Sequence, residues 1–182
     1  MGTAMAIDAD DITYVLRLLT PANRLVCRLA VSTGLRISDC LAITRRQLDV
    51  ACNNRGYVTV RESKTGHTRR VYVDKALRAD MRYYCIDASP YCFPGRLDAT
   101  VHRTRQAVWK DLTRAAKALR YDGQVSPHSL RKVAAQGKLQ AAGGRQSVVQ
   151  RWLGHSDPAI TAIYTLAQHA HMTKFSVPRK RA

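Results

Sequence analysis

Negative charge is what this sequence has least of. Its 182 residues carry 13 acids, and all but Glu62 are aspartate. Paired-carboxylate catalysis and carboxylate-rich metal sites therefore have little material to draw on. Cysteine is sparse as well. Cys27, Cys40, Cys52, Cys85 and Cys92 form an odd set with no CxxC pair, which argues against a zinc site or a disulfide framework and for a reducing compartment. No apolar run reaches the roughly 18 residues of a membrane span, and no signal-peptide pattern opens the chain. No GxxxxGK[ST] loop is present to cradle nucleotide phosphates. Residues 1–6 read as a cloning remnant and are set aside. These absences predict a cytoplasmic protein with no metal, no other cofactor and no membrane partner.

Positive charge is abundant. Thirty Lys and Arg, of which 22 are Arg, give a formal net charge of +17. The planar guanidinium fork suits phosphate oxygens better than a lysine ammonium does. Such a field attracts a polyanion, with nucleic acid ahead of an anionic membrane surface and of an acidic protein. Hydrophobic residues at 46% and charged residues at 24% describe a folded globular chain.

The hydrophobic periodicity predicts a mostly helical protein with a small antiparallel sheet, α+β in class, with no repeat and no internal linker. Ile12, Val15, Leu16 and Leu19 form a first helical stripe. Thr20-Pro21 restarts a helix as cap and first-turn residue, with Leu25, Val26, Leu29 and Ala30 inward and Gly34 as terminator. A short helix follows through Ile37 to Ala42. Tyr57–Arg61 and Arg69–Val73 alternate around Lys64-Thr65-Gly66, which predicts a hairpin with one basic face. Helical spacing returns at Leu77, Met81 and Tyr84, then in a longer helix capped by Thr100 and carrying Val101, Val108, Trp109, Leu112 and Ala116. Ser126-Pro127 starts another, with Leu130, Val133, Ala134, Gly137 and Ala141 inward. Val148, Val149, Trp152 and Leu153 form a short helix stopped at Gly154, and Ser156-Asp157-Pro158 opens a last one.

Three segments combine polar residues and breakers beyond what a core requires: Thr33-Gly34-Leu35-Arg36-Ile37-Ser38-Asp39, His128-Ser129-Leu130-Arg131, and Leu153-Gly154-His155-Ser156 followed by Tyr164. His128 and Arg131 are three apart in a first helical turn, opposite the stripe headed by Leu130 and Val133. They make either a phosphate clamp or a solvated surface pair. Read singly, Tyr164 is a core tyrosine, His155 a helix C-cap neighbour, Arg36 a salt-bridge partner of Asp39, and Lys64 a hairpin-tip lysine.

Together the segments resemble the catalytic domain of the tyrosine recombinases, or phage integrases. Thr-Gly-Leu-Arg-Ile-Ser-Asp, Ser-Lys-Thr-Gly in a hairpin, His-Ser-Leu-Arg, Leu-Gly-His-Ser and Tyr164 come in that order. Arg131 precedes His155 by 24 residues and His155 precedes Tyr164 by nine. The resemblance implies the recombinase catalytic fold, and Tyr164 as the nucleophile that joins a DNA 3′ phosphate. Arg36 and Arg131 would grip the non-bridging oxygens, with His155 adding a hydrogen bond. Lys64 would protonate the departing 5′ oxygen, His128 would accept the tyrosine proton, and Asp39 would support the arginine. The chemistry is coherent: a phenol with a pKa of about 10 needs cations or a base nearby, and arginine donors stabilise a phosphoryl-transfer transition state without a metal.

Lys132 stands where the family often carries His, and Ala134-Ala135-Gln136-Gly137 replaces an aromatic-rich run. The family's usual N-terminal helical domain has no counterpart ahead of Ile7, so the expectation is an excised catalytic domain at 7–168, with a basic tail at 169–182 that serves subunit exchange. Its expected partners are double-stranded DNA and further copies of itself, as a tetramer in the full-length protein. Arg61, Arg69, Arg70, Arg103, Arg105, Lys110 and Lys132 are candidate DNA contacts, with Arg114 and Lys117 on the same helix. Serine β-lactamase signatures (SxxK at 129–132, KTG at 64–66) occur in reversed order without Ser-Asp-Asn, which removes that reading. A carboxylate-metal nuclease lacks its acids. A type IB topoisomerase-like enzyme and a non-catalytic basic DNA-binding module are the alternatives.

Overall fold

The structure is a computed structural model that describes residues 9–86, 88–121 and 124–154. The chain falls into two compact units that divide at Ala134/Ala135.

The first unit opens with α1 (Ala9–Arg17), whose Ile12 and Val15 are buried. Next comes α2 (Pro21–Thr33), which begins at a proline because the first-turn N–H has no helical partner to lose. It ends where Gly34 turns left-handed at φ 66°. Thr20 occupies the N-cap position but does not cap with its side chain. Its hydroxyl donates to Asp111 Oδ2 at 2.8 Å, beside its own N–H at 2.9 Å and Asn23 Nδ2 at 2.8 Å. Arg114 closes the other oxygen at 2.7 Å and reaches the Leu18 carbonyl at 2.6 Å. Asp111 thus fastens the α1–α2 corner to the helix that carries it.

After α3 (Ile37–Leu41) comes α4 (Arg45–Asn53), which periodicity did not predict. Only Leu48 and Ala51 turn inward in this polar helix, so its stripe is too thin to register. Its signature is local. Thr44 Oγ1 accepts from the Gln47 N–H at 3.2 Å while Gln47 Oε1 accepts from the Thr44 N–H at 2.8 Å, a reciprocal capping box.

The hairpin pairs β1 (Tyr57–Arg61) with β2 (Thr68–Tyr72), in the register Tyr57↔Tyr72, Val58↔Val71 and Val60↔Arg69. Val58, Val60 and Val71 are buried. Arg61 and Arg70 lie on the outer face with Tyr57 and Tyr72, but Arg69 turns to the valine side and leaves the predicted basic face. Asp74 caps α5 (Lys75–Tyr84) by accepting from the Leu77 N–H at 2.8 Å.

α6 (Arg105–Ala118) starts later than predicted. Thr104 is its cap, and Thr100 instead bonds Asp98. The intervening chain folds back on itself through Gly95 N–H to Val101 O at 2.8 Å and Arg103 N–H to Phe93 O at 2.7 Å. α7 (Pro127–Ala141) is buried without interruption from Ser129 to Gln136, whereas Gly137 and Ala141, predicted inward, are exposed. Leu29, Leu35, Leu41, Phe93, Leu112 and Leu130 anchor the core of this unit. Cys27, Cys40 and Cys92 are buried and Cys52 and Cys85 half-buried, all five as free thiols.

In the second unit α8 (Gln146–Leu153) ends at Gly154, left-handed at φ 68°, as its sequence predicts. Val149 and Leu153 bury with Ala135 and Leu139, and Lys138 Nζ sits 5.7 Å from the centre of the Trp152 ring. The helix predicted from Ser156 lies outside the described residues. No helix among the described residues is long and apolar enough to cross a membrane.

Asp111→Ala strips the corner of its acceptor and leaves Asn23, which is buried, without that partner. Urea denaturation is expected to show a loss of about 2 kcal/mol, and an unchanged midpoint and slope would contradict the role given to Asp111.

Candidate active site

The left-handed turn at Gly34 delivers Arg36 to the N-cap of α3, with 24% of its side chain exposed. Behind it lies Arg131, in the buried stretch of α7. The sequence allowed Arg131 a solvated face. In the fold it is only 3% exposed, and its Nη1 donates to the Gly34 carbonyl at 2.6 Å. A guanidinium stays charged when buried and must be given acceptors. This one takes a backbone oxygen two residues before Arg36, which brings the two arginines to one corner.

The hairpin meets the same corner. Glu62 directly follows β1 and is 1% exposed. Its Oε2 accepts from Arg36 Nη1 at 2.9 Å and from Thr65 Oγ1 at 2.8 Å, and its Oε1 accepts from Arg69 Nη1 at 2.7 Å. Burial by itself would raise the carboxyl pKa. The hydrogen bonds from Arg69, Thr65 and Arg36 outweigh it and hold the group at about 2, against an ordinary 4.5. Asp39, expected to support Arg36, lies 4.0 Å from its Nη1, and its other oxygen accepts the Ser63 N–H at 2.9 Å and hydroxyl at 2.8 Å. Lys64 follows at once, exposed at the hairpin tip.

His128, in the first turn of α7, is partly exposed, and its pKa is pushed below 6.5 by partial desolvation and then by the charges of Arg131, Arg105, Lys132 and Lys64. Its ring is therefore neutral at pH 7 and able to accept a proton. Arg131 stands three residues on, one helical turn along α7. Arg131 is thus tied to the Gly34 turn that leads to Arg36, and the hairpin is tied to the same loop through Glu62 and Ser63, the residue before Lys64. His155 and Tyr164 lie outside the described residues.

The expected phosphate contacts sort into several environments. Arg61, Arg105, Lys110 and Lys117 are exposed, and exposed Arg70 lies 5.0 Å from the centre of the Tyr57 ring. Arg69 is tied to Glu62 and Arg114 to Asp111, so neither is a bare surface cation. Lys132 is only 9% exposed, and this burial lowers its pKa and removes it from the outward set. Arg103, which closes the 93–103 fold-back, is half-buried, with its pKa lowered first by that burial. Glu62 is what sequence reasoning missed: the composition marked it as the sole glutamate, but only the hairpin register brings it against Arg36.

Solved structures share this architecture. The crystal structure of XerA recombinase superposes on the whole of this chain and 67% of its own, with a TM-score of 0.73 and 20% identity. A lambda integrase dimer bound to a COC′ core site matches 90% of this chain and 49% of its own, with a TM-score of 0.69 and 19% identity. The fold is that of the tyrosine recombinase catalytic domain. In sequence, the Phage integrase family profile matches residues 7–171, and the chain belongs to that family. Tyrosine recombinase XerC of Xanthomonas campestris pv. campestris (strain B100) is 34% identical over 177 residues, covering 92% of this chain and 53% of XerC. Tyrosine recombinase XerD of Caulobacter vibrioides is 35% identical over 176 residues, covering 87% of this chain and 56% of XerD. The chain spans about half the length of these curated relatives.

An NMR titration of the free protein is expected to place the His128 midpoint below 6.5, and Lys64→Ala to raise it by removing a like charge. Because the unfolded chain takes up that proton more readily, the His128 contribution to stability is fully present above pH 6.5 and is lost as the pH falls from there through the lower folded midpoint. A midpoint above 6.5 would contradict a neutral His128 at pH 7.

Proposed function

We propose that this chain is the catalytic part of a site-specific DNA recombinase that cuts and rejoins strands through a 3′-phosphotyrosyl link to Tyr164. The observation that carries the reading is the hydrogen bond by which buried Arg131 holds the Gly34 carbonyl, two residues before Arg36, in a protein with net charge +17. Family membership and the fold support it.

In the reaction, His128 takes the phenolic proton as the Tyr164 oxygen bonds to phosphorus. The bond from phosphorus to the 5′ oxygen breaks, and Lys64 protonates that oxygen. Arg36 and Arg131, with His155, hold the non-bridging oxygens while charge builds on them. Arg131 is suited to this because its buried position keeps it oriented before substrate arrives. One phosphodiester replaces another, so rejoining is the same step run backwards by a 5′ hydroxyl, with no metal or nucleotide consumed. The exposed cations Arg61, Arg70, Arg105 and Lys110 hold the flanking backbone of double-stranded DNA. The protein works in the cytoplasm, and the full-length form self-associates on its site as a tetramer.

Nicked suicide duplexes built from the end sequences of the native genetic element are expected to give a covalent adduct on denaturing gels. Tyr164→Phe should give none, and an adduct that persists in that variant, or never forms with wild type, would sink the reading. On the same duplexes, neutralising about six phosphates predicts that log K falls with log salt at a slope near −5. A flat dependence would contradict phosphate-dominated binding.

A further inference from the structure

The hairpin and the Arg36 loop are joined by two reciprocal links. Arg36 reaches forward to Glu62, and Ser63, the next residue, reaches back to Asp39, three residues after Arg36. Glu62 also shapes the turn with its own backbone: its N–H donates to the His67 carbonyl at 2.9 Å and its carbonyl accepts the Gly66 N–H at 2.8 Å. Both of its carboxylate oxygens accept from side chains of the protein, and the residue is 1% exposed, which keeps it from direct contact with a substrate. A buried carboxylate of this kind contributes little net stability compared with a well-packed apolar residue. Its distinctive effect is geometric. Among the described residues Arg36 uses one nitrogen, Nη1, for its carboxylate contacts, which leaves the rest of the fork for a ligand. An arginine side chain has several rotatable bonds, and fixing one end of its guanidinium removes freedom that a reaction would otherwise have to remove.

We propose that Glu62 is a positioning residue that holds Arg36 in the orientation needed to receive a scissile phosphate. The assignment rests on the recombinase reading above. It gives the sole glutamate of the chain a role in the reaction without contact to the reacting atoms, exerted through Arg36.

The test uses the suicide duplex that traps wild type, with an ordinary or a methylphosphonate linkage at the scissile position. The methyl group replaces a charged non-bridging oxygen and removes the charge that Arg36 offsets. Glu62→Gln keeps the size and loses the charge. It is expected to form the adduct about 10- to 100-fold more slowly than wild type on the phosphodiester. On the methylphosphonate the gap is expected to close to within about threefold, since the interaction being oriented no longer matters. Glu62→Asp, which retains the charge, is expected to recover part of the phosphodiester rate, and it takes the place of Glu62→Gln if that variant melts far below wild type. An equal deficit on both linkages means a merely structural role and overturns the proposal, as does a wild-type rate on the phosphodiester. If wild type traps DNA and the Glu62 variants trap it equally well, only this proposal fails. If wild type gives no adduct, the recombinase reading fails and this proposal with it.

Discussion

The hydrogen bond from Arg131 to the Gly34 carbonyl is the interaction on which the site depends. A chain with 30 cationic side chains and 13 acidic ones cannot give every arginine a carboxylate. Where a guanidinium is buried, its charge must be met by whatever acceptors the fold provides. Arg131 takes a backbone oxygen made available because Gly34 ends α2 in a left-handed turn. That one contact links the longest buried stretch of α7 to the loop that presents Arg36. The few acids near the site are then used as anchors: Glu62 and Asp39 both lie buried, holding an arginine and a hairpin rather than contacting solvent.

Most helices were legible because their apolar spacing is dense. Leu25, Val26, Leu29 and Ala30 define α2 almost alone, and Gly34 and Gly154 mark ends that the chain obeys. α4 was not legible by that route, since two inward residues cannot set a period, yet Thr44 and Gln47 carried its start in plain view. Thr100 and Thr104 were equally good caps on paper. The choice fell to Thr104 because residues 93–103 pair with each other and Thr100 is drawn to Asp98. Thr20 shows the converse: a residue well suited to cap a helix was claimed by a tertiary acceptor, Asp111.

The candidate site divides in the same way. Arg36, Lys64, His128 and Arg131 could be picked out by motif order, because each sits beside a breaker or a helix start that fixes its backbone. Their surroundings could not. Whether Arg131 was solvated or buried depends on how α7 is enclosed, and an eight-residue run of burial erases the amphipathic stripe that sequence reasoning uses. Arg69 read as an outward phosphate contact because strand alternation gives two faces without saying which is outside. Glu62 was visible only as a number, the single glutamate. Its place between two arginines is a consequence of hairpin register.

Arg36 and Arg131 are held by different acceptors on different elements, yet both are proposed to serve one phosphate. A double-mutant cycle on the rate of adduct formation, with Arg36→Ala, Arg131→Ala and the pair, tests this most directly. Groups that act as a unit are strongly non-additive, so the second substitution is predicted to cost far less after the first, with a coupling above about 1 kcal/mol. Losses that add to within about 0.5 kcal/mol would mean that the two arginines act independently, and would contradict the account.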